Sequence, residues 1–361
     1  MLTIDGCRAR QRRLRDVLAK KNRDGALITH REHVYYFTGF RCQWSHSAAA
    51  YVDAQGRVTL VCHQPAKERV AADEFIPYPA QKYATMPMDQ ACLAAAALAK
   101  ALPRGKRIGV DLEGPAAFVR LAGEGAADLT PVILDLRKRK DPDEIACLRA
   151  VIAISEVMYA CAKEGVGPGK DELDLFAEIR AAATRAAGVD LERFGNGFHA
   201  GDGDGTPRRR KMQAGELYVI DAGPSLAGYH ADNCRTFAVD GRGTEVQQRA
   251  CEKIGACLKH CESQIKPGLS AQKLFASAKE FLSDAGHSGL CHHLGHGMGL
   301  QPHEAPQLNP EFEAVFEAGD VFTMEPGLYS KELNPGIRLE ENYLLTETGL
   351  EKLTSFPLGL V

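Results

Sequence analysis

The second half of this 361-residue chain repeats itself. A repeat constrains architecture more than any single element does, because two copies of one unit must bury equivalent faces. A long helical stretch (143–164) leads to Pro168-Gly169 and then to a helix carrying Leu175-Phe176 that ends near Gly188. The same order recurs 99 positions on: a helix (245–264), Pro267-Gly268, and a helix carrying Leu274-Phe275 that ends near Gly286. Strands follow in both copies. Ala214-Gly215-Glu216, an apolar run, Asp221 and Gly223 return 104 positions later as Ala318-Gly319-Asp320, a similar run, Glu325 and Gly327. The pattern predicts two α-α-β-β halves about a pseudo-twofold axis, with equivalent carboxylates brought together.

Four acids close otherwise apolar strands. Asp221 follows Leu217-Tyr218-Val219-Ile220, and Asp232 lies 11 residues on, beyond a Gly223-Pro224 turn that folds a hairpin back on itself. Glu325 follows Val321-Phe322-Thr323-Met324, and Glu340 follows Gly336-Ile337-Arg338-Leu339. An acid in such a place costs several kcal/mol if buried and unpaired, and four clustered carboxylates do not all stay ionised without a cation. His287, His292, His293, His296 and His303 are five of the chain's 12 histidines, in a stretch punctuated by Gly289, Gly295, Gly297 and Gly299. Neutral imidazole is a common metal ligand, and glycine lets backbone approach a crowded site. Asp221, Asp232, His296, Glu325 and Glu340 therefore form a candidate ligand set for two divalent ions, Mn²⁺ first, then Co²⁺, Fe²⁺ or Zn²⁺. Two ions carry four positive charges against the four carboxylates, which leaves room for a bridging hydroxide and points to a hydrolase.

A formal charge of -3 and a pI near 6.5 offer no basic face, which argues against nucleic acid or an anionic membrane as partner. The one dense basic run, Thr206-Pro207-Arg208-Arg209-Arg210-Lys211, reads as a solvated loop rather than an anion clamp. Arg8, Arg10, Arg12, Arg13 and Arg15 sit on a helical stretch without an apolar signal-peptide core, and no later run has the apolar length of a membrane span. Eleven cysteines with no Cys-x-x-Cys pair, three of them (Cys251, Cys257, Cys261) at helical spacing, read as buried hydrophobes of a reducing compartment. A cytoplasmic protein is expected.

The first 136 residues alternate helix and strand signals, as an α/β domain does. Residues 8–21 read as a basic amphipathic helix, 25–29, 58–62 and 106–111 as strands, 89–101 as an Ala-rich helix, and Val34 to Phe40 as an aromatic strand or turn. Asp141-Pro142-Asp143-Glu144 is a helix start, with Asp141 as N-cap, and it places a domain boundary between residues 136 and 137.

With these motifs in view, the chain resembles the creatinase/prolidase/methionine aminopeptidase superfamily, and within it the Xaa-Pro peptidases. The resemblance spans nearly the whole chain. It implies an N-terminal creatinase-like α/β domain (1–136), whose Tyr-Phe-Thr-Gly-Phe signature is 36–40, and a pita-bread catalytic domain (137–361) with internal pseudo-twofold duplication. It further implies that Asp221 binds one metal, that Asp232, before Arg235-Thr236-Phe237, and Glu340 bridge both, and that His296 and Glu325 bind the other. His292 and His303 match histidines that bind substrate and stabilise the tetrahedral species. Tyr329 and Arg338 match the lining of the proline pocket. Family members often carry a substrate-contacting histidine about 17 residues before the first metal aspartate, where this chain has Asp204; His199 is the candidate to serve instead. A homodimer is implied, with the region near Trp44 approaching the partner's site.

The resemblance implies hydrolysis of the bond before proline, at or near a free peptide N-terminus, by a metal-bridging hydroxide. Glu325 would pass its proton to the leaving nitrogen, with His292 or His303 holding the oxyanion. A metal-dependent lyase or a C–N hydrolase on the same fold is the alternative, and a non-catalytic peptide-binding module is a third reading.

Overall fold

The computed structural model describes residues 1–42, 45–64, 70–195, 197–202 and 205–360. The chain divides into two compact units, Met1–Arg137 and Lys138–Val361.

The first unit is built on β1 (Gly25–Ile28), β2 (Ala49–Asp53), β3 (Val58–Cys62), β4 (Glu74–Pro77), β5 (Ile108–Val110) and β6 (Ala127–Asp128). They form one mixed sheet in the order β4-β3-β2-β1-β5-β6. Its helices are α1 (Ile4–Lys20), α2 (Arg31–Thr38), α3 (Gln90–Leu98), the single turn α4 (Ala116–Val119) and α5 (Thr130–Lys138). Thr3 caps α1 by accepting a 3.0 Å bond from Gly6 N. The helix is basic, yet Arg10 is fully buried: its Nε donates to Tyr36 O at 2.8 Å and its guanidinium lies 4.9 Å from the Tyr36 ring.

The aromatic run 34–40 corrects the reading from sequence. It is helical, as α2, rather than a strand or turn, and six consecutive residues from His33 to Thr38 are buried. A helix buried nearly all round shows no periodicity to distinguish it from a buried strand. Gly39 ends it at φ 74°, a conformation open to glycine at little cost.

The second unit opens with α6 (Pro142–Gly165), begun by a capping box in which Asp141 N donates to Glu144 at 2.9 Å. Next come α7 (Glu172–Ala187), β7 (Gly197–Ala200) and β8 (Leu217–Ala222), then the small hairpin β9 (Ser225–Leu226) and β10 (Tyr229–His230), and β11 (Asn233–Ala238). The second copy contains α8 (Glu245–Glu262), α9 (Ala271–Phe281), β12 (Gly295–Gly297), β13 (Glu304–Leu308) and β14 (Val321–Met324). The hairpin β15 (Gly327–Tyr329) and β16 (Gly336–Arg338) follows, then β17 (Glu341–Thr346) and β18 (Gly349–Lys352). One sheet has the order β11-β8-β7 and the other β13-β12-β14-β17-β18. Setting aside β13 and β18, β7-β8-β11 and β12-β14-β17 are the same antiparallel arrangement, each interrupted by a small hairpin at the same point. The helix α9 stops at Phe281 and not at Gly286.

Each half has its own core. Tyr159, Leu175, Ile179 and Ile220 meet under the first, and Ile254, Leu274, Phe322 and Tyr343 under the second. Contrary to the expectation from sequence, one helix among the described residues, α6, is long and apolar enough to cross a membrane by length and composition alone. Half of its apolar 18-residue window is buried within the protein, the expected state of a core helix. All 11 cysteines are free, and Cys251, Cys257 and Cys261 are packed into the second core through α8.

Candidate metal centre

Strand pairing brings the acids together. In the β8–β11 ladder Asp221 faces Cys234 and Ala222 faces Asn233, so Asp232 sits at the open end beside Asp221. In the β14–β17 ladder Met324 faces Glu341, so Glu325 and Glu340 flank the corresponding open end. Glu340 N donates to Cys234 O at 3.0 Å, which stitches one half to the other at the site. Asp221, Asp232, His296, Glu325 and Glu340 all line one cavity of about 710 Å³, together with His292, His303, Tyr329 and Arg338.

The ring of His296 is aimed by its backbone. Its Nδ1 lies 3.0 Å from Gly297 O and donates to it, leaving the Nε2 lone pair directed at Glu325 (3.5 Å) and Asp232 (3.7 Å). Burial pushes His296 down to about 4, so the imidazole is neutral and a competent ligand near pH 7. His303 stacks on it with ring centroids 3.7 Å apart. Asp221 and Arg338 form a 2.6 Å ion pair, and Arg338 also donates to the Tyr329 hydroxyl at 3.2 Å. Tyr329 in turn meets His292 Nε2 at 3.0 Å.

The carboxyls of Asp232 and Glu340 are pushed well above their ordinary range, by burial first and then by repulsion from neighbouring carboxylates, Asp221 and Glu325 among them. Glu340 is 1% exposed and its Oε1 has no hydrogen-bond partner. Glu325 differs. Burial opposes its ionisation, but a 3.0 Å bond to His293 and the charges around it hold it down to about 2. Four converging carboxylates, one with an orphaned buried oxygen, and a neutral imidazole with its lone pair among them fit hard or borderline divalent ions. His296, Glu325 and Glu340 place one donor atom each within 4.8 Å of one another, and so do Asp232, His296 and His303.

Against this geometry the comparisons are decisive. The profile of the metallopeptidase family M24 matches residues 146–347, and that of the creatinase/prolidase N-terminal domain matches residues 10–138. The chain belongs to metallopeptidase family M24. The Xaa-Pro dipeptidase of Pyrococcus horikoshii is 27% identical over 356 residues, 96% of this chain and 97% of that protein. A probable dipeptidase, PepE, of Mycobacterium tuberculosis is 31% identical over 237 residues, 64% of this chain and 62% of that protein. Among solved structures, the P. horikoshii prolidase superposes with a TM-score of 0.80 at 25% identity, covering 98% of this chain and 100% of that one. The Xaa-Pro dipeptidase from Bacillus anthracis shares the fold, with a TM-score of 0.84 at 20% identity over 98% of this chain and 99% of that one. This protein is accordingly a metal-dependent peptidase with a pita-bread catalytic domain.

One sequence candidate in this metallopeptidase lies elsewhere. His199 is absent from the cavity wall; its Nε2 contacts Thr206 O at 2.6 Å and its Nδ1 contacts Asp202 at 3.2 Å. Asp204, like Trp44, lies outside the described residues. The basic run is committed internally: Arg208 grips the buried Glu172 at 2.8 Å, Arg209 pairs with Asp174 at 2.6 Å, and Arg210 pairs with Glu216. Sequence reasoning placed His293 in the histidine-rich stretch without giving it a role, and it missed Arg193 and His230. The latter two line the cavity, and His293 both lines it and binds Glu325. Only its place beside His292 marks His293 out; nothing in the sequence distinguishes Arg193.

Proposed function

We propose that this metallopeptidase cleaves the bond before proline, at or near a peptide N-terminus, as an Xaa-Pro dipeptidase or aminopeptidase. The convergence of Asp221, Asp232, His296, Glu325 and Glu340 on one cavity carries the reading. The curated Xaa-Pro dipeptidase that matches nearly end to end supports the substrate class. The five residues would hold two divalent ions, Mn²⁺ foremost because carboxylates dominate the set; bound there, the ions supply Lewis-acid activation of water and of the scissile carbonyl.

The remaining steps belong to the protein. Glu325 stays ionised and accepts the proton of the attacking water before delivering it to the leaving nitrogen, with His293 holding its Oε1 in place. Burial keeps His292 and His303 below the usual histidine range, so both are neutral near pH 7. The N–H of neutral His292 is spent on His293 O at 2.7 Å and its Nε2 accepts from Tyr329, so His303 is the ring that donates an N–H to the oxyanion. Tyr329 and Arg338 form the wall against which the proline ring packs. A homodimer in the cytoplasm completes the proposal, with 11 free cysteines in keeping with a reducing compartment. Assay of Xaa-Pro and Xaa-Ala dipeptides and tripeptides with Mn²⁺-loaded enzyme tests it. Cleavage of the Xaa-Pro series is expected, and turnover of none of the series would overturn the assignment.

A further inference from the structure

A second group of ligating side chains lies in the N-terminal unit, where β1 and β5 end side by side. His33 is fully buried on the first turn of α2. Its Nδ1 meets Asp111 Oδ2 at 2.8 Å, and Asp111 also accepts from Thr29 N at 2.7 Å, Thr29 Oγ1 at 2.5 Å and His30 N at 3.0 Å. A carboxylate so supplied with donors holds the His33 proton on Nδ1 and turns the Nε2 lone pair outward, the arrangement that orients a histidine toward a metal. That Nε2 is buried and makes no hydrogen bond. It faces Glu113 Oε2 at 3.8 Å and the ring of His30, whose centroid is 5.0 Å from that of His33.

The loop carrying Glu113 is pressed against β1 by design of the backbone. A Cβ on Gly114 would meet Thr29 Oγ1 at 2.0 Å, so only glycine allows this approach. His30, His33 and Glu113 each place one donor atom within 4.8 Å of the others. Tetrahedral zinc with bonds of about 2.0–2.2 Å spaces its ligands roughly 3.3 Å apart. The Glu113 side chain is 43% exposed and free to close the difference, while His33 is locked.

We propose that His30, His33 and Glu113 form a zinc site in the N-terminal unit, separate from the catalytic centre, with water in the fourth position on the open Glu113 side. Two imidazoles and one carboxylate favour Zn²⁺ over the harder Mn²⁺, by ligand type and by affinity order. The site is a structural clip, joining α2 to the loop after β5 across the end of the sheet.

The full-length enzyme, equilibrated with excess Zn²⁺ and freed of unbound metal by gel filtration, tests this by elemental analysis. His33→Asn retains a side-chain donor for Asp111, and Glu113→Gln leaves the buried residues untouched. Each variant is expected to hold one metal per chain fewer than the wild type. The count is indifferent to exchange at the catalytic centre and involves no peptide, so it stands or falls apart from the proposed substrate. Zn²⁺ is further expected to raise the unfolding midpoint of EDTA-treated wild type more than that of either variant, with equal midpoints in EDTA showing that both fold. Equal metal counts in all three proteins would overturn the site.

Discussion

The two halves of the catalytic unit share one strand order but not one chemistry. Each supplies two carboxylates from equivalent positions, Asp221 and Asp232 against Glu325 and Glu340. Histidine is where they part. Pairing across β7 and β8 sets His199 opposite Val219, two residues before Asp221. Continuing the β12–β14 pairing from Gly297 and Phe322 sets His296 opposite Thr323, two residues before Glu325. The two histidines thus hold the same register in the two copies. His296 enters the cavity because Gly297 O fixes its ring and β13 supports β12 from the far side, whereas β7 is a sheet edge and His199 turns to Thr206 and Asp202. His292, His293, His303, Tyr329 and Arg338 also come from the second half. The two copies share the carboxylate frame, while the histidines beside Glu325 come from the second copy and the first adds Arg193 and His230 to the cavity wall.

The largest expected break in the comparison is Glu325→Gln, which removes the carboxylate proposed to carry the proton and should lower kcat by about 10²–10⁴-fold in metal-replete enzyme. Steady-state hydrolysis of an Xaa-Pro dipeptide measures it, and near-wild-type turnover would reassign the role. Arg235 on β11 and Glu341 on β17 form a fully buried 2.9 Å pair that bridges the halves, with Arg235 also donating to Glu340 O. Arg235→Met should cost about 3–5 kcal/mol in urea unfolding, because it takes the buried cation from Glu341 and leaves it Thr354 and the half-exposed Lys352; adding Glu341→Leu should recover much of it.

Asp320 and Glu216, equivalent in the repeat, should respond oppositely to pH. Burial pushes Asp320 up to about 6. Its folded form therefore holds a proton more tightly than the unfolded chain, and stability falls as pH rises from about 4 through 6. Asp320→Asn should remove that slope and stabilise the protein near pH 7 by up to about 3 kcal/mol. Burial opposes ionisation of Glu216 too, but its bonds with Arg210 and Gln213 prevail and hold it below its ordinary value. Its contribution is present above the unfolded value and lost as pH falls through the folded one, so Glu216→Gln should destabilise at pH 7 and cost progressively less in acid. Unfolding midpoints from pH 3 to 8 separate the two. Smallest of all, His199→Gln should leave metal content unchanged and shift kcat/KM less than about threefold, whereas His296→Gln should lose metal; metal analysis of both tests whether register or ring placement decides.

Much of the site was legible because carboxylates are punctuation in an apolar text. An acid that closes Leu217–Ile220 or Val321–Met324 has no reason to be there unless something cationic meets it, and the 104-residue offset showed two such strands to be copies. Less legible was α2, whose continuous apolar run masks its period, and the small hairpins β9–β10 and β15–β16, whose residues carry weak strand signals. His293 escaped because its importance is a 3.0 Å distance to Glu325, between residues 32 positions apart. His199 was chosen on chain proximity, and proximity along the chain does not say which way a ring turns.

The sequence by itself determined the duplicated architecture and pointed to the four carboxylates and the histidine that cluster in one cavity, since periodicity and the cost of burying charge are properties of residue type and order. Only the tertiary structure decided which histidine of two in equivalent register enters the carboxylate-lined cavity, that His293 holds Glu325, and that His30, His33 and Glu113 meet in the other unit. Those outcomes depend on distances of a few ångströms between segments far apart in the chain, set by packing and by the backbone carbonyls that each ring happens to find.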